Sequence, residues 1–247
     1  MRDERISAVN QVDFAKIFGD IVIRQDYDVE QSAVTETQFV SNTREDGIVG
    51  DGELAFHHDQ LFQENPLKSF ILCGIEVPAE GGGTSFVHTT RAYDAMPESV
   101  RQRLEGKSCL HLYDFKGDYT GFQDLESALP GSPRSNHPIL YREPGMDAVG
   151  VWVNRLTTIR INELPMTESQ ELIDEMFSYL RNESIIYRHK WRKGDLLIWD
   201  NRILQHARGP FDKSLPRTLR ITPIVWSRVS LPGPSAGDLR QPPLRGA

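Results

Sequence analysis

Cysteine is nearly absent from this chain. Cys73 and Cys109 are the only two in 247 residues, without the close spacing or the density of a disulfide framework. No run approaches the length and apolarity of a membrane span, and Met1 to Val9 is charged rather than apolar, so no secretory leader and no membrane partner are expected. These absences point to a soluble chain in a reducing compartment, the cytoplasm. Clusters of basic residues are also missing: 28 Lys and Arg stand against 35 Asp and Glu, a net charge of −7. Nothing resembles an electrostatic footprint for DNA or RNA, and neither is expected as a partner. Internal repeats are lacking. The one low-complexity stretch is the Pro/Gly-rich tail 231–247, whose composition cannot build a packed core and which is expected to be flexible. Residues 1–230 are expected to form a single domain, a length common for large β folds.

What the chain does contain is short β-rich runs separated by turn clusters. Strands are predicted at Ile21 to Ile23, Ser69 to Val77, Thr84 to His88, Cys109 to Phe115, Val149 to Asn154, Ile185 to Trp191, Asp195 to Trp199 and Thr218 to Trp226. Helical spacing is clearest over Thr167 to Leu180, where Leu172, Ile173, Met176, Phe177 and Leu180 form one apolar stripe and Thr167 with Gln170 suggests a capping box. Two further helices are predicted at Val12 to Phe18 and Arg91 to Leu104, with Pro97 placed to open a helix at its first turn. The expected fold class is mainly β with flanking helices, a double-sheet jelly roll.

The most informative feature is His57-His58-Asp59, answered far downstream by His206 after the run Trp199-Asp200-Asn201-Arg202. Two imidazoles and one carboxylate are the donor set that holds non-haem Fe(II) on one face and leaves positions open for other ligands. In an extended strand His57 and Asp59 point the same way while His58 points away. Histidine beside an acid is more commonly a hydrogen-bonded pair than a ligand set, so the tripeptide alone decides little. His88, His111, His137 and His189 have no partners at ligand spacing and read as hydrogen-bonded or exposed histidines.

Two other signals accompany it. Gly81-Gly82-Gly83-Thr84 leads into an apolar run with no lysine and no helix behind it, which fits a tight turn into a strand rather than a phosphate loop. Arg217 and Arg220 lie in the strand-like run that follows His206, and the planar fork of arginine suits bidentate capture of a carboxylate in a buried site.

Taken together, His57-X-Asp59, the Gly-Gly-Gly-Thr84 turn, Val151-Trp152-Val153-Asn154 with Thr157 to Arg160, Gly194-Asp195 leading to Trp199 to Arg202, His206 and Arg217 resemble the TauD/TfdA family of Fe(II)- and 2-oxoglutarate-dependent dioxygenases. The likeness runs from about Val12 to Trp226. It implies a double-stranded β-helix (jelly-roll, cupin-like) core with Fe(II) bound by His57, Asp59 and His206. It also implies 2-oxoglutarate as cosubstrate, its distal carboxylate held by Thr84 and by Arg217 or Arg220, with Arg217 favoured. Family members often carry the two arginines four residues apart rather than three, and usually have an extra strand or two upstream.

The activity implied is oxidation of an unactivated C–H of a small organic substrate by O₂, in the first instance hydroxylation, with release of succinate and CO₂. The same chemistry ending in desaturation or cyclisation is one alternative, and a non-catalytic metal-binding jelly roll is another. Asp59 argues against halogenation, because related halogenases lack that carboxylate. An anionic substrate is expected if Arg220 faces the pocket, since a buried guanidinium needs a counter-charge. Asn201 and Asp200 are candidates to orient the ligands, and the loop Tyr113 to Ser135 reads as a lid or a disordered segment. Association into a dimer or tetramer is compatible with such sheets.

Overall fold

The computed structural model describes residues 6–22, 36–48, 52–113, 126, 128, 130–142 and 147–225. The tail 231–247 and most of the proposed lid lie outside the described residues. The first half runs α1 (Ala8–Lys16), β1 (Asp20–Ile21), β2 (Gln38–Ser41), β3 (Gly47–Ile48), β4 (Leu54–His57), β5 (Ser69–Glu76), β6 (Thr84–His88), α2 (Thr89–Ala95) and α3 (Glu98–Leu104). There follow β7 (Ser108–Leu112), β8 (Arg134–Pro138), β9 (Leu140–Arg142), β10 (Val149–Val151), β11 (Thr158–Ile161) and α4 (Met166–Leu180). The last strands are β12 (Ile186–His189), β13 (Leu196–Asp200), β14 (Leu204–Arg208) and β15 (Thr218–Val225).

Two sheets make the jelly roll. One runs β13-β5-β15-β2-β3 with β1 also on β15, and the other runs β12-β6-β14-β4. Every neighbouring pair in them is antiparallel except β2 with β3. Their inner faces meet through Phe70, Leu72, Trp199 and Leu219 from the first sheet and Phe86 from the second, with Leu67 and Trp191 beside them. Alternation supplies this face: on β6 and β14 every second residue points inward, so the strands bring Thr84, Phe86 and His206 to the same interior.

Helices pack on the first sheet and on the smaller sheets β11-β7-β8 and β10-β9. Helix α1, capped by the Ser7 hydroxyl accepting from Asn10 N–H at 3.1 Å, buries Ala15 against Ile71, Cys73, Leu196 and Ile224. The larger layer of α2, α3 and α4 packs Ala92, Met96, Val100, Leu172, Ile173, Met176 and Phe177 against Cys109, Ile139, Val151, Val153 and Ile161. The apolar stripe of α4 is the one the sequence predicts. The capping box is not formed: the N-cap is Pro165, no side chain caps it, and Thr167 already lies within the helix. The predicted helix Arg91 to Leu104 divides into α2 and α3, because Met96 is extended (ψ 137°) ahead of Pro97; the ring of Pro97 disfavours a helical residue before it. Among the described residues no helix is long and apolar enough to cross a membrane.

Candidate active site

His57 ends β4, and its ring is oriented by its own strand: Nδ1–H donates to the Ala55 carbonyl at 2.8 Å. That bond assigns the proton to Nδ1 and leaves the Nε2 lone pair free. His206 sits in the middle of β14, in register with His57 on one side and Phe86 on the other, and the two imidazole centroids are 4.3 Å apart. Trp199 and Phe86 flank the His206 ring at 4.9 Å and 6.4 Å. Asp59, two residues past His57, turns its carboxylate toward both rings: Oδ1 is 3.5 Å from His57 Nε2 and Oδ2 is 3.3 Å from His206 Nε2.

The three side chains offer one ligand atom each, all within 4.8 Å of one another. A charge-assisted N–H···O bond would close to about 2.7–2.9 Å, and these contacts at 3.3 and 3.5 Å do not. Adjacent ligands on an ion with bonds of about 2.1 Å stand about 3 Å apart at right angles. The three atoms are close enough together to be drawn onto one cation, and the carboxylate interacts directly with both imidazoles. The electrostatics agree. Burial pushes His206 down to about 4, against the pull of Asp59, which keeps the imidazole neutral as ligation requires. Burial alone would raise the Asp59 carboxyl, but His206 and His57 outweigh it and hold it below its ordinary value.

Around the glycine turn the structure gathers a second set. Gly81 and Gly82 adopt left-handed φ of 75° and 59°. A Cβ on Gly82 would lie 2.9 Å from Arg217 Nε, so only glycine lets the guanidinium lie against this turn. Arg217 is 3% exposed; its Nε donates to the Gly82 carbonyl at 3.0 Å and its backbone N–H to Asn42 Oδ1 at 2.8 Å. Burial, reinforced by nearby Arg208, pushes its pKa down to about 9, the mark of a cation short of a counter-ion. Two residues along from Gly82, Thr84 Oγ1 accepts from Trp191 Nε1 at 2.9 Å, which leaves the threonine proton to donate elsewhere.

Arg220 is not part of this set. Its Nε donates to Gln11 Oε1 at 2.8 Å and a terminal nitrogen donates to the Ile6 carbonyl at 2.7 Å, both on the α1 side of β15. The inner face of the strand is taken by Leu219 and Ile221. The assignment of Arg220 to the cosubstrate is corrected accordingly, and the expectation of an anionic substrate loses the ground on which it stood. His58 points away from the ligand group and is buried beside Trp152, at 6.3 Å between ring centroids. Asp200 caps a turn instead of orienting a ligand, accepting from Arg202 N–H at 3.0 Å. Sequence reasoning overlooked Arg208, buried two residues after His206 with Nε donating to the Gly52 carbonyl at 2.8 Å. Period two counted from His206 would have found it. A cleft of about 690 Å³ lined by Phe86, Tyr187, Trp199, Leu204, His88 and Arg91 opens beside the same flanking rings.

Comparison with known proteins places these features in a wider set. The family model described as "Taurine catabolism dioxygenase TauD, TfdA family" matches residues 1–222. Alpha-ketoglutarate-dependent 2,4-dichlorophenoxyacetate dioxygenase of Cupriavidus pinatubonensis is 28% identical over 233 residues, covering 89% of this chain and 81% of that protein. Pentalenolactone F synthase of Streptomyces avermitilis is 30% identical over 187 residues, which is 70% of this chain and 61% of that one. Among solved structures, a taurine dioxygenase from Burkholderia xenovorans superposes with a TM-score of 0.73 at 21% identity, covering 90% of this chain and 72% of that one; at that identity the likeness concerns the fold.

Proposed function

This chain belongs to the TauD, TfdA family of alpha-ketoglutarate-dependent dioxygenases, and from that premise we propose that His57, Asp59 and His206 hold its Fe(II). We further assign the distal carboxylate of 2-oxoglutarate to Arg217 and Thr84, and hydroxylation of a C–H in a small organic molecule to the enzyme. When bound, iron and 2-oxoglutarate supply an oxidant from O₂: one oxygen atom enters the substrate, the other enters succinate, and CO₂ leaves.

The chain's own residues divide the remaining work. The imidazoles of His57 and His206 and the carboxylate of Asp59 would hold the ion and leave positions free for cosubstrate and O₂. His57 contributes Nε2 because its other nitrogen is engaged by Ala55. Arg217, buried beside a glycine turn with its pKa depressed, gains a counter-charge when a carboxylate arrives. Thr84 donates its hydroxyl proton to the same carboxylate, its oxygen being committed as an acceptor to Trp191. On the inner face of β15 the residue following Arg220 is Ile221, so this wall of the interior is apolar.

The observation that carries this reading is the convergence of His57, Asp59 and His206, each offering one ligand atom within 4.8 Å of the others. The test is to incubate the protein with Fe(II), 2-oxoglutarate and O₂ over a panel of small acids and neutral compounds, following succinate and product mass. Iron-dependent succinate with substrate gaining one oxygen supports hydroxylation. Loss of two hydrogens would replace it by desaturation or ring closure, and no succinate with any member of the panel contradicts the reading.

A further inference from the structure

The carboxylate of Asp59 is aimed without being held. Among the described residues its oxygens meet only the two imidazoles, at 3.3 and 3.5 Å, so its direction must be set by its backbone. That backbone is awkwardly placed. Asp59 lies just past the end of β4, and the next residue, Gln60, is left-handed with φ 61°, the only non-glycine at positive φ among the described residues. A side chain in that region is crowded against its own carbonyl, so the conformation persists only where neighbours impose it.

One side chain does so. Asn201 is 2% exposed; its Oδ1 accepts the Asp59 N–H at 2.9 Å and its Nδ2 donates to the Asp59 carbonyl at 3.0 Å. The second Nδ2 proton goes to the Leu67 carbonyl at 2.9 Å, and the Asn201 backbone N–H goes to the Lys68 carbonyl at 2.9 Å. The carboxamide thus grips both polar groups of residue 59 and fastens the far end of the same segment. Asn201 also belongs to the turn between β13 and β14, five residues ahead of His206. It therefore ties the segment bearing one proposed ligand to the segment bearing another.

We propose that Asn201 is a positioning residue for the metal site: by clamping the Asp59 peptide and sustaining the left-handed turn at Gln60, it preforms the carboxylate's aim before any metal arrives. The inference rests on the ligand set proposed above. The chemistry specifies asparagine. Aspartate would set oxygens against the carbonyls of Asp59 and Leu67, leucine would fill the space with no bond to either, and serine is too short to reach both.

The test uses Co(II) as the probe, titrated into metal-free protein and read by its visible d–d absorption. Asn201→Ala and Asn201→Asp should weaken Co(II) binding by about 10–100-fold, the usual effect of removing a group that orients a ligand, and should shift the band. Gln60→Gly alone should leave affinity within about threefold, because glycine adopts the left-handed turn unaided. Placed in the Asn201→Ala background it should restore part of the loss. Asn154→Ala is the control for plain destabilisation: Asn154 is a buried asparagine whose Oδ1 accepts from Leu156 and Thr157 N–H at 3.0 and 2.8 Å. It should lower thermal stability and leave Co(II) affinity unchanged. Folded Asn201→Ala with unaltered affinity and band overturns the inference. If that variant does not fold, hydrogen exchange at the Asp59 amide of the metal-free natural protein decides instead: strong protection supports a preformed clamp, and free exchange overturns it. Failure of the natural protein to bind Co(II) at all would strike the ligand set itself, a different outcome from binding that ignores Asn201.

Discussion

Arg217 and Arg220 are three residues apart in sequence and differ in every contact. Arg217 lies against the glycine turn with an unmet charge, whereas Arg220 secures α1 through Gln11 and Ile6. Arg217→Ala is therefore expected to raise KM for 2-oxoglutarate by at least about 30-fold, since truncating one side of a buried charged pair costs about 2–5 kcal/mol. Arg220→Ala should leave that KM within twofold and lower stability to urea by about 1–3 kcal/mol. Steady-state kinetics and equilibrium unfolding on both variants check the pair; a reversed result would return Arg220 to the site. A related outcome belongs to Gly82. Gly82→Ala meets both a left-handed φ and Arg217 Nε at 2.9 Å, so it should also raise the 2-oxoglutarate KM, as the same kinetics will show. The grouping of His57, Asp59 and His206 was legible from the motif, but not for the reason of strand alternation: β4 ends at His57 and Asp59 lies in the turn beyond it. The direction of Arg220 was not legible. Strand β15 is covered on one face by the sheet interior and on the other by α1, so six of its eight residues are buried, and no polar–apolar alternation marks which side is inner.

Among the elements, legibility followed composition. β5, β6 and β15 are rich in branched and aromatic residues and were foreseen within a residue or two. β14, Leu-Gln-His-Ala-Arg, was not foreseen. Its inner face carries His206 and Arg208, and its outer face carries Gln205, whose amide donates to the Val153 carbonyl. A strand that serves a site on one face and a buried polar contact on the other does not read as a strand. β8, Arg-Ser-Asn-His-Pro, was hidden for a simpler reason: three of its five residues are exposed. Helix α4 was the most legible element, because its stripe is a single apolar face that fills the helical layer. Leu172, fully buried there, gives the corresponding expectation: Leu172→Ala should cost about 2–5 kcal/mol in urea unfolding while leaving metal affinity unchanged, since none of the proposed ligands belongs to that core. A loss of metal binding in folded protein would show that the helical layer supports the site directly.

At the scale of the molecule, the jelly roll and the family were both legible from motifs spread over Val12 to Trp226, in agreement with a family match over residues 1–222. One property belongs to no single element: the interior buries histidines that must stay neutral. Burial pushes His58 down to about 3 and His206 to about 4 from an ordinary 6.5. Between those values and 6.5 the unfolded chain binds protons that the folded chain refuses. Stability is therefore full above about pH 6.5 and falls as the pH drops toward 4, each histidine contributing about 1.4 kcal/mol per pH unit in that window. Asp59, lowered instead of raised, adds its own loss only at more acid pH, as the pH falls through its folded value. Urea unfolding of the metal-free protein at pH 7.5, 6 and 5 should show a steady decline, and a flat profile would mean that these histidines are not buried neutral.

Three side chains, His57, Asp59 and His206, are proposed to share one ion. Anaerobic addition of Fe(II) and 2-oxoglutarate, followed by visible absorption, reads that arrangement directly, because the chelated keto acid gives a weak charge-transfer band only when iron is held with positions to spare. The band should form in the natural protein at one iron per chain and be lost in Asp59→Ala and His206→Ala. A band of undiminished strength in either folded variant would contradict the central claim.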